Sequence, residues 1–131
     1  MVQFELVAPE KLLFSEQVEM VVVPGSEGDF GVLINHAPMI ATIRPGVLAV
    51  YRNGQVVERI FVTGGFAEVT ETTLTVLAEE ALFVDSLERV AIERQLALAK
   101  KAFQTAETPT TSAKAERQIV VAESMLTALQ T

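Results

Sequence analysis

At 131 residues the chain has room for one domain, or one domain with a small appendage, and for one sizeable core. It holds no cysteine, a single histidine and no apolar run near the ~20 residues of a membrane span, which excludes disulfides, thiolate chemistry, a structural zinc site and a transmembrane helix. The net charge of −7 lies in residues 1–84, eleven acids against four bases, while residues 85–131 balance; so acidic a first part repels nucleic acid and anionic membrane surfaces.

The opening stretch MVQFELVAPEK lacks the basic and apolar regions of a signal peptide, so no leader is expected. Through residue 84 the chain reads as short strands separated by turn residues. Val18, Met20 and Val22 alternate with Glu19 and Val21, the period of a half-buried strand. Gly46–Arg52 and Gln55–Val62 flank Asn53-Gly54, two residues that tolerate φ > 0, which predicts a hairpin. Phe66–Thr70 and Thr73–Leu77 form a further pair around Glu71-Thr72. Pro9, Pro24, Pro38 and Pro45 are placed between runs, where a missing N–H breaks no ladder bond. Strands this short and frequent predict an antiparallel β-sandwich or flattened barrel over residues 1–84.

At about residue 85 the period changes to helical. Asp85-Ser86-Leu87-Glu88 has the spacing of a capping box, and Leu87, Val90, Ala91, Leu98 and Ala102 fall close to one face through Phe103. Thr105–Ser112, with Pro109 inside it, reads as a loop. A second helix is expected over Ala113–Leu129, with Ile119, Ala122, Met125, Leu126 and Leu129 on one face. A short link between two Ala-rich helices predicts an antiparallel hairpin over residues 85–131. Two helices alone bury little, so such a hairpin needs a partner surface.

No residue set points to catalysis. Gly25, Gly28 and Gly31 have the look of a phosphate cradle, but no Lys and Ser/Thr follow, Glu27 and Asp29 occupy the loop, and β-type Val32-Leu33-Ile34 comes next. His36 has no nucleophile-elbow serine to serve, and a structural or interface role is favoured. Glu79-Glu80 on a strand would point to opposite faces, which suits a solvated strand end better than paired acid–base work.

Three motifs in order carry more: PGSEGDFGVLINHAP (Pro24–Pro38), RPGVL (Arg44–Leu48) and GGFAEV (Gly64–Val69). Together they resemble the epsilon chain of F-type ATP synthases, in sequence over residues 1–84 and in architecture beyond. The resemblance implies a β-sandwich followed by a two-helix hairpin. It also implies a non-catalytic rotor (central stalk) subunit without a cofactor, which clamps the central-shaft (gamma) subunit to the membrane-ring (c) subunits. Proton-driven ring rotation would then turn the shaft, and the catalytic head stays open as a further partner. Glu27, Gly28 and Asp29 would lie in a loop facing the ring and the shaft's foot, with His36 and Pro38 close by. Carboxylates on a Gly-shaped loop suit basic and polar ring loops. Members often read Pro-Gly-His where this chain has Ile34-Asn35-His36.

The hairpin would be a regulatory domain. Members that bind ATP carry Ile/Leu-Asp-x-x-Arg-Ala at its start; here Leu87-Glu88 is followed by Ala91-Ile92, and a start at Val84-Asp85 leads to Glu88-Arg89. Either way the arginine is out of place, so weak or no ATP binding by the hairpin is expected, and no nucleotide-binding residue is assigned. Inhibitory members use a basic second helix, whereas Lys114 and Arg117 here face Glu116 and Glu123, so regulation of hydrolysis is expected to be weak. With no leader, the expected place is the cytoplasmic face of a bacterial cell membrane, in preference to a plastid thylakoid. A rival reading is a stand-alone β-sandwich binding module that dimerises through its hairpin.

Overall fold

A computed structural model describes residues 1–9 and 11–130; Glu10 and Thr131, the last residue of the expected hairpin segment, lie outside the described residues. The chain divides into two compact units, Met1–Asp85 and Ser86–Thr131.

Period-2 patterning builds the first unit. In β1 (Val2–Ala8), Val2, Phe4 and Leu6 are fully buried while Gln3 and Glu5 turn outward. The remaining strands are β2 (Lys11–Val18), β3 (Met20–Gly25), β4 (Gly28–Val32), β5 (Met39–Ile43), β6 (Gly46–Arg52), β7 (Gln55–Val62), β8 (Gly65–Val69), β9 (Thr73–Ala78) and β10 (Ala81–Phe83). They run side by side in the order β10-β7-β6-β3-β5-β8-β9-β1-β2, and β4 pairs with β3. Valines 2, 18, 21, 23, 32, 50, 62, 69 and 76 share one core with Phe4, Leu6, Leu48, Ile60 and Leu74. No polar or charged residue is buried among those described.

Two corners curl this sheet into a sandwich. At Glu19 the chain bends between β2 and β3, and the Glu19 N–H donates to the Tyr51 carbonyl. The bend resets side-chain parity, so Val18, Val21 and Val23 are buried, whereas Met20 and Val22 are only half-buried. The expected alternation of Val18, Met20 and Val22 therefore breaks at the corner. An ion pair from Arg52 to Glu16 and the Gly54 N–H to Glu19 Oε1 (3.0 Å) tie β6 and its turn back to this region. At the second corner β3 and β5 meet through one pairing, Gly25 with Ile43.

The Asn53-Gly54 hairpin forms as expected, with φ of 53° and 76° at its two turn residues. The turn before β9 is held by Thr70, whose Oγ1 accepts the Thr72 and Thr73 N–H groups at 3.3 and 3.0 Å. Two local expectations fail. Pro24 lies within β3 opposite Asp29, one residue from the strand's end. One pair in this otherwise antiparallel sheet is parallel, β1 with β9, from Gln3–Thr73 to Val7–Leu77.

The second unit holds α1 (Arg89–Thr105) and α2 (Pro109–Leu129). Asp85-Ser86-Leu87-Glu88 does not form a capping box: Val84–Ser86 is a 3-10 turn, and Glu88 precedes α1 without a side-chain cap. The capping box sits instead on α2, where Thr108 and Thr111 exchange bonds, with Pro109 pre-set for the first helical turn. The loop thus shrinks to residues 106–108. On α1 the buried positions are Ile92 and Ala99, while Val90 and Leu98 are exposed, so the expected Val90–Leu98 face is not the buried one. On α2, Ala115, Ala122, Met125 and Ala128 are buried, and Ile119, Leu126 and Leu129 are half-buried.

Candidate functional site

The acidic loop is the tip of the β3–β4 hairpin. Gly25 pairs with Gly28, leaving Ser26 and Glu27 as the turn, and Gly28 has a φ of +131° that other residues rarely adopt. Ser26, Glu27, Gly28 and Asp29 are all exposed. Their two carboxylates differ. Asp29 Oδ1 accepts from Arg44 Nη2 at 2.7 Å, and Arg44 Nη1 donates to the Gly25 carbonyl at 2.6 Å. The Glu27 carboxylate extends into solvent. Both flanks of the pair are open, with Arg44 and Asp29 side chains 44% and 58% exposed, so the link positions more than it stabilises.

His36 and Pro38 belong to the β4–β5 connection. The chain leaves β4 at Val32, so Leu33 and Ile34 are not strand residues; Asn35 takes φ 66°, and its N–H donates to the Glu71 carbonyl at 2.6 Å. His36 is half-buried, its Nδ1–H donating to the Ala37 carbonyl at 2.7 Å, and Pro38 is exposed. β4 runs away from the turn, and β5 returns until Ile43 reaches Gly25. His36 and Pro38 therefore lie beyond the far end of β4, roughly 13 Å or more from Gly28 at the usual rise per strand residue. The five residues expected close together divide into two groups, one at each end of a strand.

A surface that the sequence reading did not single out lies on the outer face of β5, β8, β9, β1 and β2. Register sets Thr42 beside Phe66, Phe66 beside Leu77, Leu77 beside Val7 and Val7 beside Leu12. Phe66, Leu77 and Leu12 are 55%, 48% and 55% exposed, and Ile40, diagonal to Phe66 on the same face, is 74% exposed. A bulge in β2 between the partners of Leu6 and Val7 turns Leu12 outward into the row. Leu33, Ile34 and Met39 near the His36 connection are exposed too, but Met39 pairs with Val69 and so has the parity of the face opposite the row. Single exposed apolar residues are ordinary, but a row across four strands marks an interaction surface. Its local signal was present: GFAEV and TLTVLA carry large apolar residues on both strand faces.

These surfaces can bind; no group of His, Asp and Glu among the described residues is arranged to hold a metal. No described helix is long and apolar enough to cross a membrane.

Comparison with known proteins gives concordant matches. Residues 1–84 match the family model described as ATP synthase, Delta/Epsilon chain, beta-sandwich domain. The chain is 51% identical over 126 residues to the ATP synthase epsilon chain of Rhodospirillum rubrum, covering 96% of this chain and 94% of the relative. To the epsilon chain of Paramagnetospirillum magneticum it is 52% identical over 128 residues, with 98% and 96% covered. Its fold is similar to a chain in the cryo-EM structure of the Euglena gracilis mitochondrial ATP synthase OSCP/F1/c-ring assembly, with a TM-score of 0.86, 22% identity, and 98% and 81% of the two chains covered.

Proposed function

Because this chain belongs to the ATP synthase epsilon-chain family, we propose that it works as the non-catalytic clamp between the central shaft and the membrane ring of an ATP synthase. It makes and breaks no bond. Its contribution is interface free energy that resists slip while the ring turns the shaft. The rival reading as a stand-alone dimerising module is not favoured, since relatives at 51% and 52% identity over nearly the whole chain are epsilon chains.

The apolar row Leu12, Leu77 and Phe66 with Ile40 carries the assignment of surfaces. Such a row is suited to a broad apolar partner held permanently, which is what a shaft subunit requires. The Glu27–Asp29 turn suits the polar and basic loops of a ring, where charge gives orientation and register more than affinity. His36 and Pro38 border the shaft-facing side. Residues 1–84 are the binding domain, and residues 85–131 are a hairpin with weak influence on ATP hydrolysis. The subunit is a peripheral part of a membrane-associated complex; bacterial relatives support the cytoplasmic face of a bacterial cell membrane as its place.

Calorimetric titration into the purified shaft subunit of the same synthase tests this. The expected result is one-to-one binding below micromolar, weakened at least about a hundredfold by Phe66→Glu, which buries a charge where an anchor sat. No binding at tens of micromolar would remove the rotor reading.

A further inference from the structure

Resting on the reading of the turn as ring-facing and of the row as shaft-facing, we infer that Arg44 is a positioning residue that ties these two surfaces together. Arg44 follows the last residue of β5, at the corner where β3 and β5 meet through the single Gly25–Ile43 pairing. One pairing is a thin ladder on which to hold a projecting turn: it consists of two backbone bonds, the Arg44 N–H donating to the Pro24 carbonyl at 3.0 Å and the Ser26 N–H to the Thr42 carbonyl at 2.9 Å. Arg44 adds its side chain, whose guanidinium donates to Gly25 O at 2.6 Å and to Asp29 Oδ1 at 2.7 Å.

Those two acceptors stand on opposite legs of the Ser26–Glu27 turn, so one planar fork grips both. Arginine suits this because its N–H groups are fixed relative to one another, whereas a lysine is a point donor on a flexible stem. The backbone that carries the fork continues from β5, which bears Thr42 beside Phe66 of the row and Ile40 diagonal to it. A load entering at the turn therefore reaches the sheet behind the row through Arg44. The same contact divides the turn's carboxylates: Asp29 is held within the chain, and Glu27 is left to meet a basic group on the ring.

The test has a partner-independent arm and a partner arm, both on the full chain. In Arg44→Ala, amide exchange of Ser26 and Gly28 is expected to accelerate by about tenfold or more, with Val21 and Val50 unchanged. Affinity of the chain–shaft complex for the purified membrane ring is expected to fall by about tenfold or more, while affinity for the shaft alone stays within about twofold. Arg44→Lys, which restores the charge but not the fork, should fall between wild type and Ala in both arms. Unchanged exchange of the turn in Arg44→Ala, or full retention of ring affinity, would overturn the inference. If the wild-type complex itself does not bind the ring, the functional reading of the turn fails, and the exchange arm decides on its own whether Arg44 holds the turn.

Discussion

Gly65 illustrates how far one residue can decide the sandwich. It pairs with Ile43 on one side and Ala78 on the other, at a φ of +139°. A Cβ there would lie 2.0 Å from the Leu77 carbonyl oxygen, a backbone atom that cannot move without breaking the sheet. Gly65→Ala is expected to cost about 3 kcal/mol or more, combining backbone strain with overpacking. Gly54 has φ +76° but nothing within 4 Å of an added Cβ, so Gly54→Ala should cost only about 1 kcal/mol. Urea unfolding of the two variants checks the contrast; equal losses would show that the close approach at Gly65 is not what matters. The Gly65 clash also bears on function, because Leu77 and its neighbour Phe66 are the centre of the apolar row.

The elements differ in how they are started and held. α2 begins on a complete cap, Thr108 with Thr111 and Pro109 in the first turn, whereas α1 begins at Arg89 after an uncapped Glu88. Thr108→Ala is expected to destabilise the second unit by about 1 kcal/mol and to fray the first turn of α2, seen as faster exchange at Ser112, whose N–H donates to the Thr108 carbonyl. The start of α1 also bears on nucleotide binding. Arg89 is its first residue, and Ala91-Ile92 follow where a phosphate donor would be wanted, so the hairpin offers no planar donor at that place. Calorimetry with ATP should detect no micromolar binding; a micromolar Kd would show that the hairpin has another way to hold phosphate.

For the molecule as a whole, the sheet pairings and the β core lie within residues 1–85. A chain truncated after Asp85 is expected to fold with cooperative unfolding and to keep its affinity for the shaft. The same truncation tests regulation. α2 carries Lys114 and Arg117 against Glu116 and Glu123, so it has no net charge to steer it electrostatically. Hydrolysis by the assembled synthase should accordingly rise little when residues 86–131 are removed, and the small effect should not depend on salt. A large, salt-sensitive rise would give the hairpin a stronger regulatory role than its charge supports.

Much of this fold is written locally. Alternating apolar residues define β1 and β9, Asn53-Gly54 defines a hairpin, and the Ala-rich stretches after residue 89 define two helices, because each signal depends on neighbours a few residues apart. The acidic turn was legible for the same reason: glycines and carboxylates in one short segment make a tip whatever surrounds it. What lay beyond local reading was every feature made by strands meeting from far along the chain. The parallel pairing of β1 with β9, the parity change at the Glu19 corner, and the grip of Arg44 on Gly25 and Asp29 are of this kind. So is the row from Leu12 to Phe66, whose members come from four strands and are adjacent only through register. Sequence determines which face of a strand is apolar, but the edges that meet in the folded sheet decide which of those faces become one surface.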